Sequence, residues 1–307
     1  MTSRQVGVLV LLSAIWGASF LLIKIALQGM SPVLIAGWRV GLAALFLSVL
    51  AAVETRRNQQ QIWRLDQWHK FLVLAILNAA IPYILIAWGE QHITSGLAAI
   101  FNATTPLFSF VLGYLVGSRR ENLGLGGLLG LIVGIAGVAI LVGGGSQGDI
   151  GGEIAVILAS ASYAVAGTFA HYAFEGQPIL VPALGQNLTA AILLLPVGML
   201  AFRPSHFPSY GPILAILALG LTGTGLAYVL YYWLIANVGP TRTLTVTYLL
   251  PITALIYGAI FLSEPVTWRE LAGMVLILTG IAGISGVLRR RARVDPTRHE
   301  ASPTSAS

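Results

Sequence analysis

The sequence predicts an all-α integral membrane protein of ten transmembrane helices, arranged as two inverted five-helix repeats. Three observations carry the prediction: the composition, the spacing of long apolar stretches, and an internal duplication. Apolar residues make up 56% of the 307-residue chain and charged residues only 9%, against about 25% charged in an ordinary globular domain. Mean hydropathy is +0.84. With 17 basic and 11 acidic side chains, a soluble fold of this size could not cover its surface.

A helix that crosses a bilayer needs about 20 mostly apolar residues. Stretches of that kind occupy roughly residues 5–27, 32–53, 68–88, 94–116, 123–143, 152–172, 178–200, 211–235, 241–262 and 267–288. Turn residues separate them: Ser31-Pro32, Gly143 to Gly148, Gln177-Pro178, Pro204 and Pro208, Gly239-Pro240 and Glu264-Pro265. One long polar loop runs from Glu54 to Lys70. The first apolar stretch is too long for a signal peptide and lacks a small-residue cleavage site, so it reads as a retained helix.

The distribution of Lys and Arg sets the orientation. Arg4, Arg56, Arg57, Arg64, Lys70, Arg119, Arg120, Arg242 and Arg289 to Arg293 collect on one side. Lys24, Arg203 and Arg269 fall on the other, with Asp149, Glu153 and Glu270. Both termini are therefore expected in the cytoplasm. The pI of 9.8 then reports basic loops facing anionic lipid, not a nucleic-acid footprint.

The duplication appears when the second half is slid onto the first. A shift of 145 pairs Tyr83 with Tyr228, Trp88 with Trp233, Pro106 with Pro251 and Gly113 with Gly258. A shift of 143 pairs Glu121 with Glu264, Gly130 with Gly273 and Gly137 with Gly280. Five spans per repeat is an odd number, so the second copy enters the membrane inverted. That arrangement is a transporter signature, with the substrate site at the midplane between the halves. The expected division is residues 1–147, residues 148–288, and a basic, disordered cytoplasmic tail over 289–307.

Several function classes drop out. Without cysteine there is no disulfide, thiolate metal site or cysteine nucleophile. Gly283-Ile284-Ser285-Gly286 superficially matches the serine motif of rhomboid proteases, but no later span is predicted to bring a histidine, and His299 lies in the tail. Asp66, Asp149 and Asp295 stand alone, unlike the paired aspartates of membrane prenyltransferases. The glycines around 124–130 and 143–148 follow helices and not strands, which excludes a dinucleotide fold. A channel would be expected to show charged rings or carbonyl loops, and none appears. The chain is thus expected to be no enzyme, with no cofactor or metal.

The opening Ile15-Trp16-Gly17-Ala18-Ser19-Phe20 followed by Lys24 resembles the first helix of EamA-type members of the drug/metabolite transporter superfamily. Arg39 with Ala43-Ala44, Pro106 and Pro251, and Ser263-Glu264-Pro265 followed by Gly273 and Gly280 extend the resemblance over about residues 6–288. Arg119-Arg120-Glu121-Asn122 departs from the Glu-Pro step of the second repeat. The resemblance implies a basket of helices around a central cavity, working by alternating access. It implies export of amino acids, neutral or aromatic as in the YddG-like exporters, or of related small metabolites across a bacterial inner membrane; drugs and nucleosides are the alternative. The expected partners are a small-molecule substrate and the lipid bilayer, with no nucleic acid; the oligomeric state is open, a monomer included.

Counting depth along each span places a polar and aromatic set near the midplane: Trp16, Ser19, Asn78, Asn102, Tyr163, Thr222, Thr224, Thr247 and Tyr248. Asn102 and Thr247 are symmetry mates, and Asn78 maps to Gly223 within Thr222-Gly223-Thr224-Gly225, a run that can loosen a helix and free backbone groups. Neutral donors and acceptors beside aromatic rings suit a zwitterionic amino acid; bonds between helices are the simpler account of each residue taken singly. A second set, Lys24, Arg39, Tyr83, Glu90, Pro106, Tyr228 and Pro251, is expected to gate or hinge. Arg39 is the deepest charge and could meet a substrate carboxylate, hydrogen-bond a helix end or snorkel. Lys24 and Glu90 fall at the same outer end, as a gate pair or as anchors. Pro82, Pro106 and Pro251 interrupt helical hydrogen bonding. Glu264 and Glu121 are expected to cap their own following helices. No carboxylate lies near a midplane, which suits a facilitator or exchanger over a proton-driven pump.

Overall fold

The computed structural model describes residues 1–58, 62, 64–116, 125–143, 149–202, 208–243 and 245–285. Among them every regular element is helical. The basic tail, the Arg119–Asn122 step with Glu121, Gly144 to Gly148, and Arg203-Pro204 lie outside the described residues.

The chain runs α1 (Ser3–Ala26), α2 (Pro32–Asn58), α3 (Trp68–Ala75), α4 (Ile81–Glu90), α5 (Ser95–Asn102), α6 (Thr105–Leu115), α7 (Leu125–Leu141), α8 (Ile150–Ala173), α9 (Leu180–Ala201), α10 (Tyr210–Gly220), α11 (Ala227–Val238), α12 (Pro240–Thr243), α13 (Val246–Leu262) and α14 (Trp268–Ile284). Two wide π-helical segments, π1 (Ile76–Ala80) and π2 (Leu221–Leu226), join α3 to α4 and α10 to α11. Seven of the resulting stretches are long and apolar enough to cross a membrane. α7, α13 and α14 are each 17 residues, at the short end of the spanning range. The apolar surface follows suit: Leu45, Leu115, Ile192, Leu200 and Ile260 are all exposed, as side chains facing acyl chains should be.

Local chemistry accounts for the ends. Thr2 and Gln5 form a reciprocal cap at α1, and Thr267 and Glu270 do the same at α14. α2 continues past its expected end through Arg56 and Arg57, cations that complement the negative end of the helix dipole.

Three expectations need correction. The fourth span is two helices, α5 and α6, with a break at Ala103-Thr104. Pro106 therefore sits in the first turn of α6, where a missing N–H is harmless, instead of kinking a continuous helix. The ninth span is likewise preceded by the separate short α12, while Pro251 lies inside α13. Glu264 does not cap its own helix. Both of its oxygens accept from the Ser95 amide, at 3.1 and 3.0 Å, and Oε2 takes the Ser95 hydroxyl at 2.6 Å. The carboxylate thus caps α5, 169 residues away in sequence, while Thr267 does that job for α14. Replacing Glu264 by alanine should cost about 1–2 kcal/mol through loss of this cap, read as a lower melting temperature in detergent and faster amide exchange in the first turn of α5.

The two halves repeat their irregularities. π2 starts 145 residues after π1, and α14 starts 143 residues after α7 with the same length. α7 and α14 pack against each other with their backbones almost touching. Gly130 lies against Gly280, and Gly137 against Gly273. The pairing order is reversed, so the two helices run antiparallel. α2 crosses α9, and α1 packs on α13 as α8 packs on α6.

Candidate functional site

The site grows from the two π segments. A π turn carries one extra residue, so some carbonyls lose their usual partners and a side chain can be re-aimed; such turns recur at functional sites. In π1 the change prepares for Pro82, which opens α4 without an N–H. In π2 no proline is present, and Thr222-Gly223-Thr224-Gly225 supplies the slack.

Each π segment is held by the long helix that crosses it. Arg39 of α2 donates from Nε to Thr224 Oγ1 of π2 at 2.9 Å. Thr224 in turn donates to Leu219 O at 3.3 Å, five residues back, as a π turn allows. Gln186 of α9 accepts from Asn78 Nδ2 of π1 at 2.9 Å and donates to the Tyr228 hydroxyl of α11. The guanidinium of Arg39 lies 3.9 Å over the ring of Tyr83, a desolvated cation on a π face. Tyr83 meets Tyr163 of α8 edge-on at 6.4 Å. On the other side Tyr228 stacks on Tyr232 at 5.7 Å, Tyr232 touches Tyr231 at 5.6 Å, and Tyr231 touches Trp16 of α1 at 5.5 Å.

Arg39 is only 8% exposed, and its polar contacts are the Thr224 hydroxyl and the face of the Tyr83 ring. A positive charge is thus kept inside the helical assembly with a ring and a hydroxyl for company, a placement worth about 2.5–3.5 kcal/mol of insertion penalty. Tyr163, Tyr228 and Tyr232 lie deep among the helices, yet each keeps part of its surface accessible.

The structure brings together Arg39, Tyr83, Thr224, Tyr163, Asn78 and Tyr228, with Trp16 at the edge of the aromatic chain. Asn102 ends α5 at the α5–α6 break, its buried Oδ1 without a partner among the described residues. Ser19 bonds to Ile15 O of its own helix, and packs so closely on π2 that a Cβ at Gly223 would stand 2.9 Å from its hydroxyl. Thr222 is exposed and bonds to Ala218 O of its own helix; being two residues from Thr224, it points away from Arg39. Tyr248 reaches Ser285 Oγ at 3.1 Å, at the end of α14. Thr247 lies at the start of α13, half-buried. Pro251 is buried within α13. Lys24 and Glu90 come together, but Lys24 bonds to the backbone carbonyls of Glu90 and Ile93 rather than to the carboxylate.

Gln186, Tyr231 and Tyr232 were not singled out in the sequence. Gln186 could have been: it is the rare long polar side chain in the middle of an apolar stretch, and such residues rarely face lipid. Elsewhere, a groove of about 210 Å³ opens between α6 and the second half of α8, lined by Ser109, Gly113, Ala164, Gly167, Thr168, His171 and Tyr172. It holds none of the residues gathered around Arg39.

Helices long enough to span a bilayer, packed around a buried cation and a chain of aromatic rings, define a multi-pass membrane protein of the transporter class. The model of the EamA-like transporter family matches residues 5–143 and again residues 150–286, and the chain belongs to that family. It is 23% identical over 272 residues to YoaV of Bacillus subtilis (strain 168), described as an uncharacterized transporter, covering 87% of this chain and 91% of YoaV. It is 28% identical over 264 residues to YedA of Escherichia coli (strain K12), an uncharacterized inner membrane transporter, covering 82% and 81% of the two chains. A solved crystal structure superposes with a TM-score of 0.65 at 19% identity, covering 95% of this chain and all 100% of the other, which shows a shared fold.

Proposed function

We propose that this chain is a secondary transporter that exports amino acids, neutral or aromatic ones in the manner of the YddG-like exporters, across a bacterial inner membrane. Its two halves, residues 1–147 and 148–288, act as inverted five-helix repeats, giving ten spans with both termini cytoplasmic, and alternate access to a site between them. The antiparallel Gly130–Gly280 and Gly137–Gly273 contacts, and the two π segments set 145 residues apart, support the inverted arrangement. The likeness to an inner membrane transporter supports the location.

One observation carries the substrate class: the guanidinium of Arg39 held between Thr224 and the face of Tyr83, in the same helical assembly as the neutral Asn78–Gln186–Tyr228 chain. A guanidinium matches a carboxylate in bidentate geometry. The tyrosine rings offer faces to an ammonium or an apolar side chain. A zwitterion satisfies both halves without leaving an ion unpaired.

Uptake of a pool of labelled amino acids into proteoliposomes, with and without a pH gradient, tests the reading. Movement of a neutral or aromatic subset is the expected result. No movement of any amino acid would overturn the substrate class and turn attention to drugs, nucleosides or other metabolites. Asn102→Ala and Tyr163→Ala should each lower that transport about tenfold or more, in line with loss of one buried polar or aromatic contact, while the folded protein is recovered in normal yield. Full transport in both variants would remove the residues from the site.

A further inference from the structure

We infer that Glu90 is a proton-binding site at the outer end of the protein, holding a proton while that end is closed and releasing it to the outer water when the α4–α5 turn lifts. The inference rests on the transporter reading above for its two access states.

The turn between α4 and α5, Gln91 to Thr94, is gripped from two sides. Lys24, from the end of α1, donates to the carbonyl of Glu90 and, at 2.7 Å, to that of Ile93. Glu264, from the connection between α13 and α14, accepts from the amide and hydroxyl of Ser95. A cation thus sits at the carbonyl end of α4 and an anion at the amide end of α5, each opposite the helix dipole it complements. Thr94 adds a bond to Glu270 of α14. Residues from α1 and from the α13–α14 region therefore pin one short turn.

Both clamping charges are occupied by that task. The Glu90 carboxyl is left over. It is 0% exposed, and neither oxygen has a hydrogen-bond partner among the described residues. The charged groups that face it are Lys24 from α1, Glu264 from the α13–α14 connection and Arg39 from α2. α8 brings Asp149 and Glu153 at its start, beside Gly152, which lies against Gly89. α5 carries no ionisable side chain. His92, in the turn, is stacked on Trp88 at 4.3 Å.

An ionised carboxylate without a single hydrogen bond is among the costliest things to bury, whereas the neutral acid is tolerated. Closure therefore selects the protonated form. Once the turn lifts, water reaches the carboxyl and Lys24 leaves the two carbonyls. The carboxylate then finds an ammonium within reach, on the same residues that held it closed. Each closing takes up one proton from the outer water and each opening returns it, so acid outside favours the closed end.

The chain has no cysteine, so Ala98→Cys, at a fully buried position of α5, gives a single reporter of outer opening. In intact cells, its labelling by a membrane-impermeant maleimide, divided at each pH by the rate at which the same reagent labels free cysteine to remove the thiolate dependence of the reaction itself, should slow as the outside is acidified, by about tenfold per pH unit across the range in which one proton is linked to opening. Adding Glu90→Gln, which mimics the neutral acid, should make this normalised labelling slow and indifferent to outer pH. Unchanged pH dependence in the double variant, or none in the parent, overturns the proposal. Infrared spectroscopy of the purified protein supplies a second reading that needs no pH series. The unsubstituted protein should show a protonated-carboxyl band at neutral pH that Glu90→Gln removes, and absence of the band also overturns it. Labelling needs no transported substrate, so a failure of amino-acid export leaves this result standing. Lost pH dependence with intact export removes the proton site alone.

Discussion

Replacing Arg39 by methionine is expected, on the amino-acid export proposed above, to abolish transport, by on the order of a hundredfold or more, without unfolding the protein. The size follows from the partner lost. A buried guanidinium facing a substrate carboxylate contributes about 2–5 kcal/mol when one partner is removed. The stability side follows from what surrounds Arg39 now. It has the ring of Tyr83 at 3.9 Å and the hydroxyl of Thr224 at 2.9 Å. Methionine fills much of the same volume, leaves no orphaned anion behind, and removes an unneutralised charge from the interior, a change that is often neutral or stabilising. Thr224 keeps its bond to Leu219 O. Lysine at 39 should be intermediate: the charge stays, but the fork that can hold a carboxylate at two points is gone, so the substrate concentration for half-maximal transport rises. Transport assays paired with thermal unfolding in detergent separate the outcomes. Normal transport by the methionine variant would make Arg39 a strut for π2, and loss of folding would make it a structural residue.

The second large effect is structural. Gly280→Ala should destabilise the protein by about 1–3 kcal/mol, the usual range for overpacking, and Gly280→Val by more. A Cβ at Gly280 would stand 2.5 Å from Gly130 O and 2.6 Å from Gly134 N. Both are backbone atoms of a helix, so no rotamer change can relieve the contact, and α7 and α14 must move apart. Between helices in lipid there is little hydrophobic gain to hold them together, and close backbone packing does that work instead. Gly7→Ala is the control: nothing lies within 4 Å of its added Cβ, and alanine is the better helix former, so the melting temperature should stay level or rise. Equal behaviour of the two variants would show that the α7–α14 contact contributes nothing to stability.

Parts of the site were legible in the sequence because membrane physics makes polar residues conspicuous. Arg39 and Asn78 stand out within apolar runs, and the Thr222–Gly225 run announced a weakened helix that proves to be π2. Other parts were invisible for the same reason: in a chain this apolar, sequence says that a polar side chain must find a partner, not which one. Gln186 joins Asn78 across 108 residues and Tyr228 across 42. Glu264 looked like a cap for the helix that follows it, because a Glu-Pro step before an apolar run is read locally; its partner, Ser95, approaches from another part of the fold. Thr222 and Thr224 are two residues apart and alike in type, and the helical turn alone sends one to Arg39 and leaves the other on the surface.

What the sequence determined by itself is the class of molecule. Apolar length, sparse charge and the paired spacing of glycines and prolines follow from one-dimensional requirements: a bilayer's thickness, the insertion cost of ions, and the sterics of residues that lack a Cβ or an N–H. The tertiary structure decided which helices cross, and through that, which charge meets which group. Hydrogen bonds and cation–π contacts reach only a few ångströms, so the partners of Arg39, Gln186 and Glu264 were decided when distant turns of the chain were brought to within bonding distance.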